Sequence, residues 1–497
     1  MMGASDSRTG GASGVSRRAR RLALVGYGLA TLLAFPHELP WGGSVDLGLV
    51  FAWLVPAALV IGIEGRTPRA AARTGFLASL VTHFLFFHWF LIVTLVYGGM
   101  PVWLGVFAPL APALYVSLFT ALFAGLFAWL GRGASSPVLV GAVLWVAVDW
   151  LRGHFLGGFP WATLGYALHG DPYLVPLTAW TGVYGLGFAA AAVGLALAGR
   201  FLVWTPRAGR TLATTLGAIA LAHGLGSLVA TNVTGDSAGG IRVAAVQGNI
   251  DQAEKWDADR RARILETYLR LTEEAAEAGA QWVVWPETAV PGLLEYDGDL
   301  RDRIGAVARR HGLTLVIGGM GADVDVAARR YSAFYDSAFL VDRTGRLRDR
   351  YDKSHLVPFG EFVPLRDLLG HVFQALARGL SATDVTAGPG PRNFELAGGV
   401  GGESGQVGVP ICYELLFPHL VRQFGGQGAD VLLAITNDAW YGRTGAPHQF
   451  LAMTALRAAE NGLPVVRAAN TGISAIIDAR GRIVRSGSLF EEAVVIG

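Results

Sequence analysis

Three scarcities frame this 497-residue chain. It has one cysteine, Cys412, so no intrachain disulfide can form. It has two lysines, Lys255 and Lys353, among 40 basic residues, so almost every cation is written as arginine. A lysine kept against that background marks a place that wants a compact ammonium rather than a guanidinium fork. Charged residues make up only 16% of the chain, against about 25% in soluble globular proteins. The net charge of +2, with no basic stripe interleaved with aromatics, excludes nucleic acid as a partner. The 11 histidines are scattered, none at ligand spacing from Cys412, and no glycine-rich phosphate loop joins a strand to a helix. No metal and no cofactor are expected.

What is abundant is apolar sequence, 52% of residues, concentrated in the first half. After a tail at 1–21, seven apolar stretches run at about 22–38, 45–63, 74–98, 103–131, 137–152, 173–199 and 210–231. Each is close to the ~20 residues needed to cross a bilayer. They predict a transmembrane helical domain over 22–235. Arginines fall in every second loop: Arg17 to Arg21, then Arg66, Arg69 and Arg73, then Arg132, then Arg200, Arg207 and Arg210. Retention of positive charge on the cytoplasmic side places the N-terminal tail in the cytoplasm, and an odd number of spans places everything after residue 235 outside it. The loop 153–172, GHFLGGFPWATLGYALHGDP, is rich in glycine and aromatics and is expected at the membrane interface or lining an entrance. Asp149 and His83 lie within apolar segments, where structural pairing inside the bundle is the expectation.

From residue 236 the pattern changes to strands alternating with amphipathic helices, the signature of a layered α/β domain over 236–490. Strands are predicted at 241–247, 281–286, 313–319, 331–342, 406–414, 429–436, 465–470 and 474–479, with helices at 257–279, 297–312 and 448–462. A segment at 364–390, partly apolar and amphipathic, interrupts the domain and is expected to be a lid touching the membrane beside the site.

Three reactive groups stand beside predicted strand ends, where catalytic groups of open α/β folds gather. Glu287 follows QWVVWP, Lys353 sits in DRYDKSHLVPFGEFVP, and Cys412 ends VGVPIC. A thiol attacks a carbonyl as its thiolate, so a neighbouring base must accept its proton. Glu287 suits that task if burial raises its pKa. The tetrahedral oxyanion then needs positive charge or N–H donors, which Lys353 and the backbone of Tyr413 offer.

The strings WPE, DKSHLVPFGE and ICYE resemble the Glu-Lys-Cys triad of the nitrilase, or carbon–nitrogen hydrolase, superfamily. With YDKSHLVPFGEFVPL, ICYELLFP and TNDAWYG behind many apolar helices, nearly the whole chain resembles the apolipoprotein N-acyltransferases. That likeness implies a multi-pass α-helical membrane bundle plus an α/β nitrilase-like domain, an αββα sandwich. It implies Glu287 as general base, Lys353 as oxyanion stabiliser and Cys412 as nucleophile, with Glu361 as a supporting acid. Tyr413, Glu414, Trp256, Asn437 and Trp440 match residues that shape the pocket or its loops. The implied reaction moves an acyl chain from a phospholipid, of phosphatidylethanolamine type, through a thioester to the α-amino group of the S-diacylglyceryl-cysteine of an apolipoprotein. This is the last step of bacterial lipoprotein maturation, on the periplasmic side of the inner membrane. The alternatives are a membrane-tethered amidase or nitrilase that hands the acyl group to water, and a non-enzymatic transporter or scaffold. The family carries eight spans, so residues 491–497, EEAVVIG, are expected to be the truncated approach to a final membrane helix.

Overall fold

The computed structural model of the chain describes residues 15–202, 204, 206–232, 240–255, 258–325, 330–362, 385–396 and 405–497. Helices α1 (Arg17–Leu33), α2 (Leu54–Gly62), α3 (Pro68–Phe86), α4 (Leu110–Leu126), α5 (Pro137–Arg152), α6 (Thr178–Leu202) and α7 (Ala208–Asn232) follow the seven apolar stretches. Local chemistry sets their starts. The Ser16 hydroxyl accepts the Ala19 N–H, and Thr67 does the same for Ala70 just ahead of a proline at the first position of α3. Three helical runs, Val102–Gly131, Val175–Leu202 and Ala208–Ala230, are long and apolar enough to cross a membrane.

Two parts of this half differ from expectation. The stretch at 74–98 is not one helix: it stops at Phe86 and resumes as a wide turn, Ile92–Tyr97. The break points Phe87 and Trp89 inward, where they pack against Phe159 and Trp161. The loop 153–172 divides in two. Phe155 and Leu156 are exposed, whereas 160–168 is a buried joint to the second half. There Trp161 Nε1 donates to Gln449 (2.8 Å) and the Tyr166 hydroxyl to the Leu416 carbonyl (3.2 Å). Asp149 pairs with Arg152 at 3.1 Å, and His83 Nδ1 meets the Ser79 hydroxyl at 2.9 Å, so both polar residues have structural partners.

The second half opens with β1 (Val243–Gln247), β2 (Trp282–Val284), β3 (Thr314–Asp325), β4 (Arg330–Val341) and β5 (Leu347–Asp352). It continues through β6 (Asn393–Leu396), β7 (Gly405–Gly408), β8 (Val431–Thr436), β9 (Val465–Ala469), β10 (Ala475–Ile477), β11 (Ile483–Ser486) and β12 (Ala493–Ile496). One six-stranded sheet has the order β12-β1-β2-β3-β4-β5, the other β11-β10-β9-β8-β7-β6. Alternation along each strand shows how they stack. Val243, Ala245, Val284, Val316, Ala338 and Leu340 join the core that holds the second sheet. Their neighbours Ala244, Val246, Val283, Leu315, Ile317 and Phe339 pack in a separate core with residues of α8 (Arg261–Glu277) and α9 (Gly298–His311). The second sheet is covered by α10 (Pro418–Gly426) and α11 (Ala446–Asn461), giving an αββα sandwich. Helix α11 is buried along nearly its whole length because its other side meets the membrane bundle, where Glu460 accepts the Val183 N–H at 2.6 Å.

Residues 491–497 are part of the sandwich. Strand β12 lies antiparallel on β1, from Ala493 opposite Gln247 to Ile496 opposite Ala244. Val495 is buried while Val494 and Ile496 pack against the α8–α9 core, a two-residue alternation that belongs to a strand. The sandwich therefore runs through 497 rather than stopping at 490.

Candidate active site

Glu287 stands one turn beyond β2. Pro286 ends the strand and Thr288 takes a left-handed φ of 47°. The turn lies directly on β3: a Cβ on Gly318 would sit 2.1 Å from the Pro286 carbonyl oxygen, so only glycine admits this approach. Ala289 and Val290 then donate to the Gly318 carbonyl at 2.9 and 3.1 Å. Lys353 follows the edge strand β5, its N–H bonded to the Asp336 carbonyl and its own carbonyl accepting from Gly388, both at 2.8 Å. Cys412 follows β7, is 8% exposed, and has φ 47° at the head of the short turn Cys412–Leu416. Such backbone costs about 1–3 kcal/mol per residue and persists only where the surroundings over-determine it.

These segments converge. The Lys353 ammonium is fully buried and donates to three carboxyl groups, Glu287 at 3.0 Å, Asp336 at 3.3 Å and Glu361 at 2.5 Å. An ammonium has three N–H bonds, so its donors are saturated. In this resting arrangement Lys353 offers the site positive charge rather than a free donor. The three carboxyls lie within 4.8 Å of one another, a grouping that would suit a metal ion, but the ammonium takes the cation's place. The other lysine also reaches this residue: Lys255 is buried and its Nζ donates to the Glu287 backbone carbonyl at 2.9 Å.

Three carboxyls against two ammonium groups leave one negative charge over, which a single bound proton neutralises. Burial alone would raise Glu287, yet the Lys353 ammonium and a hydrogen bond from Asp336 hold it down at about 2. This reverses the expectation of a carboxyl raised by burial. Asp336 moves the other way: burial and the adjacent Glu287 charge push it well above the usual carboxylate range. Burial also raises Glu361 against the pull of Lys353. Burial lowers Lys255 to about 8. The Cys412 thiol is pushed well up, first by burial and then by Glu287, with Lys353 opposing. A thiol raised in this way would need a base before it could attack a carbonyl.

The remaining residues hold this geometry. Glu414, fully buried, accepts on one oxygen from the Tyr351 hydroxyl (2.7 Å), the Ser354 N–H and hydroxyl (2.7 and 2.8 Å) and the His355 N–H (3.3 Å). Its other oxygen takes the Ile411 N–H at 2.8 Å. It thus staples the Lys353 loop to the Cys412 turn. Tyr413 is buried, with its hydroxyl 3.4 Å from the Gly158 carbonyl of the membrane bundle. Asn437 donates to Gln252 (2.7 Å) and accepts from Asn470 (3.1 Å), fixing the loop that carries Lys255. Trp440 is partly exposed and meets Tyr97 of the bundle edge-on at 5.5 Å. Trp256 and residues 363–384 of the expected lid lie outside the described residues. The end of that insertion returns to the site, Val385 donating to the Glu361 carbonyl at 2.9 Å. No motif pointed to Asp336 or Gly318. Lys255 had a signal in the rarity of lysine.

The carbon–nitrogen hydrolase model matches residues 242–497, and the apolipoprotein N-acyltransferase N-terminal domain matches 27–196. An apolipoprotein N-acyltransferase from Geobacter metallireducens is 36% identical over 90% of this chain and 84% of its own length. The chain belongs to the apolipoprotein N-acyltransferase family. The homologue of that name from Brucella melitensis is 34% identical over 96% of this chain and 88% of its own. An amidase from Nesterenkonia is similar in structure, at 19% identity and a TM-score of 0.39, over 52% of this chain and 90% of that one. Membership makes the chain an acyltransferase of the membrane, with the αββα sandwich following its apolar helices.

Proposed function

We propose that this enzyme transfers an acyl chain from a membrane phospholipid to the N-terminal α-amino group of a diacylglyceryl-modified apolipoprotein, through a thioester on Cys412. The observation that carries the reading is a buried Glu287–Lys353–Cys412 site in a sandwich packed directly onto an apolar helical bundle. Glu287 takes the thiol proton as sulfur attacks the ester carbonyl. Lys353 and the Tyr413 N–H stabilise the oxyanion. Its collapse breaks the ester C–O bond, Glu287 returns the proton to the leaving oxygen, and lysophospholipid departs. The acceptor amine then attacks the thioester carbonyl and passes a proton to Glu287. Collapse forms the amide, and the thiolate recovers its proton. Asp336 holds the extra proton that keeps the carboxyl group set neutral, and Glu361 and Glu414 orient Lys353 and the Cys412 turn.

An arginine-rich start and arginines in alternate loops between the helices support a cytoplasmic N-terminus and, with an odd number of passages, a periplasmic sandwich in the inner membrane of a bacterium. Phosphatidylethanolamine fits as donor. The test is trapping: the full chain in micelles with acyl-labelled phospholipid, and no acceptor, accumulates one acyl group on Cys412, read by mass spectrometry of the intact protein. Addition of a diacylglyceryl peptide discharges it to an N-acyl peptide. An active enzyme with no adduct, or discharge to free fatty acid alone, would overturn the scheme, the latter in favour of a hydrolase.

A further inference from the structure

A row of rings leads from the membrane face to the nucleophile. Trp150, exposed near the end of α5, stacks on His154 at 4.3 Å, and His154 meets His419 at 4.6 Å. His419 packs on Phe417, Phe417 on His355 at 4.1 Å, and His355 lies parallel to Tyr413 at 5.7 Å. Tyr413 adjoins Cys412. The histidines come from three separate places: the loop after a membrane helix, the loop after Lys353, and the start of α10. His154 and His355 are half-buried and His419 is exposed.

Their electrostatic setting differs from that of the three histidines of the chain that pair with carboxylates. His169 pairs with Asp46 (3.3 Å), His223 with Asp171 (3.0 Å) and His448 with Glu38 (2.6 Å). Among the described residues, no carboxylate lies within ion-pair distance of His154, His355 or His419. Partial burial of the ring lowers the His419 pKa, and the charges acting on it, from His154, His355 and Arg457, are all of one kind and lower it further. Three clustered imidazoles without a counter-ion gain by receiving an anion, which allows them to be protonated. His154 Nδ1 meets the Trp150 carbonyl at 2.7 Å and His355 bonds the Gly157 carbonyl, so these two rings are oriented by the backbone of the 150–157 segment. The cluster's depth is marked by Trp150, Phe155 and Leu156, large apolar side chains exposed where α5 ends, as at the headgroup level of a bilayer.

We propose that His154, His355 and His419 form the subsite for the anionic phosphodiester of the phospholipid donor. In a glycerophospholipid only the glycerol carbons and their oxygens separate phosphorus from an ester carbonyl. A phosphate held at the imidazoles would point that carbonyl along the row towards Cys412, whose neighbour Tyr413 stacks on His355. The subsite selects a phosphodiester over a neutral glyceride and rests on the acyl-donor reading above.

The test uses the full chain in detergent micelles with two acyl-labelled donors, phosphatidylethanolamine and neutral diacylglycerol, following acylation of Cys412 against donor concentration. Inorganic phosphate, added separately, reports whether a free anion competes. Wild type prefers the phospholipid. Changing His154→Gln together with His419→Gln raises the phospholipid KM at least tenfold, leaves the maximal acylation rate within about twofold, and leaves diacylglycerol unchanged. The exposed replacement His419→Arg retains the preference. Equal phospholipid kinetics in wild type and the double variant would overturn the inference. So would equal losses on both donors, which mark a packing role, or inhibition by phosphate that the double variant does not relieve. Wild type that no donor acylates would instead overturn the acyl-enzyme reading, and this inference with it.

Discussion

Helices α3 and α8 are both amphipathic, yet they are built inside out relative to each other. In α3 the buried positions are small or polar, Ala71, Gly75, Ser79, Thr82 and His83, until Phe86 at its end, whereas Leu77, Val81 and Leu85 are 51%, 65% and 53% exposed. In α8 the buried positions are mostly large and apolar, Ile264, Leu265, Tyr268, Leu269 and Leu271, with Thr272 and Ala275 beside them. Its outer face carries ion pairs such as Arg310–Glu273, reaching from α9 at 2.7 Å. The difference identifies the solvent on each side. Lipid accepts leucine outside, so the bundle is held by close approach of small residues: a Cβ on Gly75 would stand 2.8 Å from that of Ala124. Water does not, so the sandwich is held by apolar burial. Charge follows the same division. The bundle buries the Asp149–Arg152 pair, whereas the sandwich gathers three carboxyls and two ammonium groups around a single thiol.

The comparison can be broken at either region. The largest effect belongs to the thiol: Cys412→Ala should cut turnover by about a thousandfold or more and abolish the adduct, with little change in melting temperature. Lys353→Met leaves Glu287, Asp336 and Glu361 facing one another without their cation. Loss of one partner from a buried charge set costs about 3–5 kcal/mol, so unfolding of the purified protein should shift by several degrees. An unchanged melt would mean that the cluster is not coupled as described. In the bundle, Val81→Arg should oppose insertion by about 2.5–3.5 kcal/mol, seen as loss of membrane-integrated protein, because that face meets lipid. Good insertion would place the face against protein or water.

Smaller effects sharpen the contrast. Lys255→Met removes one buried hydrogen bond to the Glu287 carbonyl, about 1–3 kcal/mol. Its pH signature is specific. The Lys255 pKa lies near 8 in the folded protein and at about 10.4 when unfolded, so between those values the unfolded chain binds more protons. Wild type therefore gains stability as pH rises through that window, and Lys255→Met should lose the gain. Glu287 acts at the other end: with its folded pKa at about 2, its contribution is present above about 4.3 and is lost as pH falls towards 2. The smallest change is Arg310→Ala on the solvated face, worth under about 1 kcal/mol. A larger loss in chemical denaturation would show that this pair is not simply solvated.

The apolar stretches, the strand–helix alternation and the placement of Glu287, Lys353 and Cys412 beside strand ends were all legible in one dimension. Each depends on a short window: the length of an apolar run, a two- or 3.6-residue period, or a motif around a turn. Strand β12 was not, because four apolar residues spell a strand only when β1 offers its free edge.

What the linear chain determined, then, was which solvent each half faces and which side chains can do chemistry, since both are properties of residue type and local period. The fold alone decided where the protons rest. Glu287 and Lys353 are 66 residues apart and Asp336 belongs to neither motif, yet whether a buried carboxyl is charged depends on all of them at once. Coulomb energy and desolvation act through distances that only the packed sandwich defines, and the same holds for three histidines drawn from both halves of the molecule.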